Sequence, residues 1–325
     1  MNIQAKNLRI QYLYSVPIDS LAALIGSIMC LSLSPIFIRL SELEMGPNAT
    51  AFNRFWIAAV AFGLLSNLLN VPHQNKDTEP KLQKNHLGAE KRLLIADGLL
   101  LAMALIAWTW SLTQTSVANS SIMHNMAPIF TILGGWLAFG QLFDRRFILG
   151  MFVAIAGVML LEINDLFSFR IGPQLLGDFG ALLSAIFFGL HPLIAEQLRT
   201  KFNSVTIMTW SSTTSFLLLF PVAAITEEQL FPSSVTGWFS VIALAFVGQM
   251  LGIGLWTYCL KKISSGFASL VGLIVPVLSS LEGWAIFSEP LSFFNLVSFV
   301  VILVGMYLAI SSRSAIKSPI ESANS

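Results

Sequence analysis

Charge is what this sequence has least of: Asp, Glu, Lys and Arg together make up 11% of its 325 residues, against roughly 25% in a soluble globular domain. So little charge excludes a surface that faces water throughout. A net charge of +1 with no long basic run argues against nucleic acid as a partner. Histidine is scarce too, at four residues. His-Glu-x-x-His, paired cysteines and a Walker-type glycine loop are all missing, which argues against an enzyme, a metal centre or a cofactor. The two cysteines, Cys30 and Cys259, fall inside apolar stretches and read as small packed side chains.

Apolar residues, by contrast, reach 55%. They gather in ten runs, near 18–40, 48–70, 93–112, 118–139, 147–161, 176–197, 205–225, 238–260, 266–287 and 294–311. Backbone polar groups cannot go unpaired in hydrocarbon, so runs of this length without strand alternation predict helices of about 20 residues crossing a lipid bilayer. The first run follows Lys6 and Arg9, as a signal peptide would, but lacks a small-x-small cleavage site and is read as an uncleaved span. The basic residues test the segmentation. Lys6, Arg9, Lys76, Lys81, Lys84, Lys91, Arg92, Arg145, Arg146, Arg199, Lys201, Lys261, Lys262, Arg313 and Lys317 fall on one side, fifteen of the eighteen. Both termini are therefore predicted to be cytoplasmic, in a plasma (inner) membrane.

Displacing the chain on itself by 148 residues gives thirteen identities between 108–160 and 256–308, where roughly four would arise by chance. Trp108 matches Trp256, Ser121 Ser269, Pro128 Pro276, Trp136 Trp284 and Gly157 Gly305. No gap is needed. A period this long means a duplicated half, and five spans per half is odd, so the second half must enter the membrane inverted. The expected fold is an all-α polytopic membrane protein of ten transmembrane helices in two inverted five-helix repeats. Its parts are a cytoplasmic segment 1–17, a first repeat 18–162 with a cytoplasmic loop 71–92, an external linker 163–175, a second repeat 176–311 and a cytoplasmic tail 312–325.

A proline in the fourth helix, a polar residue at its end and a glycine in the fifth recur in both halves. They run from Ala127-Pro128 through Gly140-Gln141 to Gly157, and from Val275-Pro276 through Ser288-Glu289 to Gly305. This pattern, with Arg54 early in the second span, resembles the EamA repeats of the drug/metabolite transporter superfamily over nearly the whole chain. Two positions depart: Gln141 stands where a glutamate is usual, and Ser288 where a glycine is. The resemblance implies ten spans and transport of small solutes, often export of amino acids or related metabolites.

On the fourth span Ser121, His124, Pro128, Thr131 and Gly135 share one helix face, and Ser269, Gly272, Pro276, Ser279 and Gly283 repeat it on the ninth. Such a stripe is either a packing seam or the wall of a central cavity. His124, with Asn125 beside it, and His191 next to Pro192 are either ionisable pathway residues or hydrogen-bonded structural histidines. Glu282 needs a partner, a cavity or a proton, and with Arg54 is a candidate for coupling. Asp19, Asp97, Asp178 and Glu289 lie near predicted helix ends and read as solvated or capping residues. Trp108, Trp136, Trp256 and Trp284 are interfacial anchors or an aromatic wall. Gln249, between Gly248 and Gly252, is a buried amide in search of a partner.

With no motif for nucleotide hydrolysis, the expected function is gradient-driven: a secondary transporter working by alternating access between inverted halves, as in other inverted-repeat carriers. The expected cargo is a small amino-acid-like or amphiphilic metabolite, exported, with protons as the candidate coupling ion. A drug or sugar-derivative carrier, a channel and a ten-span receptor are the alternatives. The expected partners are the lipid bilayer and a small-molecule solute, with a homodimer left open.

Overall fold

The structure, a computed structural model, describes residues 18–68, 83–161, 175–288 and 290–312. The predicted segment 1–17, residues 69–82 of the cytoplasmic loop, residues 162–174 of the linker region, Glu289 and the tail from residue 313 lie outside the described residues. Among the described residues ten helices follow one another: α1 Ile18–Ser41, α2 Pro47–Leu68, α3 Gln83–Leu112, α4 in two pieces Val117–His124 and Ala127–Phe139, and α5 Arg145–Leu161. Then come α6 Leu175–Leu198, α7 Ser204–Thr226, α8 Val235–Cys259, α9 Ser265–Phe287 and α10 Phe293–Ile310. Nine are long and apolar enough to cross a bilayer, and α5, with 17 residues, is the tenth and shortest. The fold is an all-α polytopic membrane protein, with no strand among the described residues.

One boundary differs from expectation. α3 begins at Gln83, inside what the sequence predicts as loop, because the stretch Gln83 to Arg92 is built mainly from good helix formers. Hydropathy marks where a helix meets lipid, not where it starts.

Three spans are interrupted, each at a proline. Pro35 opens the second piece of α1, Pro128 the second piece of α4 and Pro276 the piece Val275–Phe287 of α9, after a 3₁₀ turn at Gly272–Ile274. Each lacks the N–H that would reach the carbonyl four residues back, which falls on Leu31, His124 and Gly272 respectively. α8 departs differently: Leu244–Ile253 is wound as a π-helix.

α4 and α9 share their starts and ends as well. Ser116 and Ser264 cap them, accepting from Asn119 N at 3.1 Å and Phe267 N at 3.3 Å. At the other end, Gly140 (φ 61°) and Ser288 (φ 56°) close them in the left-handed region.

Helices α5 and α10 pack along a glycine seam. A Cβ on Gly150 would come 2.5 Å from Gly305 O, and one on Gly305 would come 2.4 Å from Ala154 N. Only glycine admits such backbone contact. Elsewhere α3 packs on α6 and α7, α8 on α1 and α2, α2 on α7, and α4 on α6 and on the first turns of α9. Large apolar side chains such as Leu137, Phe179, Leu217 and Val300 stay exposed on the bundle's outside, as a surface solvated by lipid requires.

Candidate functional site

Five groups of polar side chains inside the bundle bear on the candidate residues. The first surrounds the break in α4. His124 Nδ1 lies 2.9 Å from Ser184 Oγ on α6, and that hydroxyl gives its single hydrogen to Ala104 O on α3 at 2.7 Å. The imidazole must therefore donate through Nδ1, which leaves Nε2 of the neutral ring as a bare acceptor. Trp108 stacks on the ring, centroids 5.3 Å apart at 28°, and Phe188 packs on it at 5.1 Å. Asn125 folds back, donating to Ser121 O at 2.9 Å.

The second group joins α2 to the π-wound part of α8. Arg54 Nε donates to Gln249 Oε1 at 2.9 Å, and its guanidinium sits 5.7 Å from the Phe55 ring centre. Gln249 is fully buried and its Nε2 has no partner among the described residues. Among the described residues no carboxylate pairs with Arg54.

The third group ties α1 to α9. Glu282 Oε1 accepts from Ser32 Oγ at 2.7 Å, and Ser279 Oγ donates to Ser32 O at 2.9 Å. The other carboxylate oxygen, Oε2, is buried with no partner among the described residues. Pro276 O accepts from Ser280 Oγ on its own helix.

The fourth group is a seam between α4, α6 and α9. Thr131 donates to Gly189 O at 2.8 Å and accepts from Ser269 Oγ at 3.3 Å, while Glu196 Oε2 accepts from Ser265 N at 2.9 Å. Thus the sequence stripe serves as a seam at Thr131 and Ser269, while His124 stands apart in an aromatic nest. The fifth is a buried pair: His191 Nδ1 lies 2.8 Å from Asp97 Oδ1, with the two side chains 3% and 0% exposed.

Asp97 corrects the expectation of a solvated helix-end acid. Because α3 starts at Gln83, Asp97 stands fourteen residues inside the helix rather than near its end. Asp19 is near a helix end as expected, paired with Lys262 at 3.1 Å, and Asp178 accepts from Thr115 at 2.7 Å. The four tryptophans divide. Trp108 and Trp256 face inward, Trp256 against the break at Gly272, where a Cβ would come 2.8 Å from its ring; Trp136 and Trp284 are each 55% exposed. Sequence reasoning missed Ser184, Phe188 and Ser32, which lie 60 or more residues from their partners and belong to no motif.

At one end of the bundle, the Glu44 carboxylate in the α1–α2 connection accepts from Ser233 N at 3.0 Å, Ser234 N at 3.2 Å and the Ser234 hydroxyl. That hydroxyl first, then the amides, hold Glu44 below the usual carboxylate range. Glu42 nearby is pushed the other way by burial and by Glu227. A groove of about 460 Å³ between α3, α4 and α6 is lined by Ala96, Leu99, Met103, Gly134, Phe187 and Leu190 among other apolar residues, and by none of the polar groups above.

The EamA-like transporter family matches residues 20–163 and 175–311, nearly the whole chain. This protein is a member of the EamA-like transporter family. A transporter of Archaeoglobus fulgidus, itself uncharacterised, is 22% identical over 86% of this chain and 92% of its own. A probable amino-acid metabolite efflux pump of Escherichia coli is 22% identical over 69% of this chain and 79% of its own. A pseudopaline exporter of Pseudomonas aeruginosa shows 22% identity over 65% and 72%. One crystal structure superposes with a TM-score of 0.73 at 15% identity, over 91% of this chain and 98% of that one, so this EamA fold is shared with it. The chain is thus an integral membrane transporter for small molecules, not an enzyme.

Proposed function

We propose that this EamA protein exports small zwitterionic, amino-acid-like metabolites by alternating access between two inverted halves, with both termini cytoplasmic. Arg54 carries the reading. A guanidinium inside the bundle, answered among the described residues only by an amide oxygen and a ring face, is an under-compensated charge, and a buried charge left without its counter-ion costs about 3–5 kcal/mol. A solute carboxylate supplies the missing partner, and a guanidinium binds it in bidentate fashion. His124 Nε2 is the acceptor for the solute's ammonium group, and Trp108 and Phe188 give the apolar wall. Amino-acid metabolites are what the E. coli relative is named for, which supports the same class here. The helix pairs support the inversion: α3 with α6 answers α8 with α1, and α3 with α7 answers α8 with α2.

Vesicles reconstituted with the protein and loaded with a panel of amino acids, their decarboxylated amines and neutral sugars test this. Efflux of the amino acids above empty vesicles is expected, falling at least tenfold in Arg54→Gln. Equal flux of the amines would sink the carboxylate assignment and favour an amphiphilic-drug carrier.

A further inference from the structure

The pair Asp97–His191 joins α3 to α6, one helix from each five-helix repeat of the sequence. Both side chains are almost wholly buried, and apart from their mutual contact none of the four polar atoms has a hydrogen-bond partner among the described residues. The covering helix α7, Ser204–Thr226, contains no ionisable residue, and neither do Ala127–Phe139 of α4 or Ser265–Val271 of α9. The other titratable or charged groups on elements packed against α3 and α6 have partners of their own. His124 is held by Ser184, Arg54 by Gln249, Asp178 by Thr115, Glu196 by Ser265 N, and Glu90 on α3 by Lys201. Arg199 donates to Thr257 O and Phe202 O, and its guanidinium lies 5.7 Å from the ring of Tyr258, which precedes Cys259 on α8. Lys91 and Arg92 belong to the exposed start of α3. Nothing else among the described residues is placed to neutralise the pair, so its own proton content sets its charge.

The turn of α6 that carries His191 reaches the proposed solute site. Phe188, one turn back, packs on the His124 ring. Gly189 accepts from Thr131, and a Cβ there would come 2.5 Å from Ala127 O at the break in α4. Pro192, the next residue, leaves the Phe188 carbonyl without its helical N–H. A helix weakened at this point is the place where a change at Asp97 can be felt by His124.

We infer that Asp97 and His191 together bind one exchangeable proton and form the coupling site through which a proton gradient drives this transporter. With the proton bound, imidazolium and carboxylate neutralise each other. When it leaves to one aqueous side, the carboxylate stands uncompensated beside a neutral ring, a state that a buried site does not tolerate without rearrangement. Rebinding from the other side restores the pair, one proton per cycle. The inference rests on the transporter reading above, but its first test needs no solute.

Potentiometric titration of the purified full chain in detergent between pH 5 and 9 is expected to count one proton more than the double variant Asp97→Asn/His191→Gln. An equal count overturns the site. If the double variant does not fold, ¹⁵N-imidazole NMR of a His124→Gln protein serves instead. A solvent-shielded histidine that changes protonation over this range supports the site; a shielded histidine that does not overturns it. The second arm uses proteoliposomes with ¹⁴C-serine as probe. His191→Gln is expected to keep serine exchange within about twofold of wild type while the several-fold stimulation by a pH gradient disappears. Stimulation that survives with exchange overturns the coupling role. Absence of serine flux in wild type, with the extra proton still counted, speaks against serine as cargo and leaves the proton site standing.

Discussion

Two of the broken helices, α4 and α9, share a cap, a proline break and a left-handed end, yet their breaks hold opposite things. In α4 the residue four before the proline is His124, stacked on Trp108 and tied to Ser184. In α9 it is Gly272, pressed against Trp256 with no room for a side chain. The backbone device has been kept twice, and the chemistry once. The polar work of α9 has moved along the helix to Ser279 and Glu282, which face α1. One helix frame, repeated in α4 and α9, thus holds two different side-chain surfaces.

Four experiments would break or sharpen that comparison. The largest effect is expected where the two halves meet backbone to backbone, at the α5–α10 seam: Gly305→Leu would drive a side chain into the backbone of α5. A loss of about 3 kcal/mol, or of folded protein altogether, is expected in thermal unfolding in detergent. Next, His124→Gly would make α4 copy α9. Solute efflux should fall about tenfold, equivalent to roughly 1.4 kcal/mol, with the melting temperature little changed; unaltered efflux returns His124 to a structural role. Third, the two left-handed caps should respond with opposite signs: Gly140→Ala destabilises by about 1 kcal/mol, whereas Ser288→Gly stabilises by about 0.5 kcal/mol. Equal signs would show that the caps are not equivalent.

The smallest effect concerns the end near Glu44. A carboxylate held below its usual range contributes stability above the ordinary glutamate range, and that contribution disappears as pH falls through its folded value. The clasp on Ser233 and Ser234 should loosen on acidification below about pH 4.5. Protection of the Ser233 and Ser234 amides relative to their intrinsic exchange rate should fall on acidification in wild type and stay unchanged in Glu44→Gln.

Much of the fold was legible because lipid imposes a simple rule on composition, and ten apolar runs obey it. The breaks in α4 and α9 fall at Pro128 and Pro276, which the sequence repeats at one offset, whereas Gly157 and Gly305 stood out only as matched positions and their part in the α5–α10 contact could not be read. Less could be read of the polar interior. Asp97 was misplaced because the apolar run starts ten residues after the helix does, so burial by neighbouring helices escaped hydropathy. Arg54, Gln249, His124 and Glu282 could be named as residues in need of partners. Their partners could not, since Ser184, Ser32 and the pairing of Arg54 with Gln249 depend on which helices meet, and helical periodicity specifies only which way a side chain points.

That limit bears on the π-wound stretch of α8. An α-helix absorbs an added residue when one turn widens from i→i+4 to i→i+5 bonding. The stretch ends at Ile253, and the ungapped match at offset 148 begins at Trp256, immediately beyond it. The π-wound stretch therefore lies where the match at offset 148 stops, and Gln249, the partner of Arg54, sits inside it. The residue that meets the arginine of α2 is presented by a widened turn, whose side-chain directions no α-helical period would give.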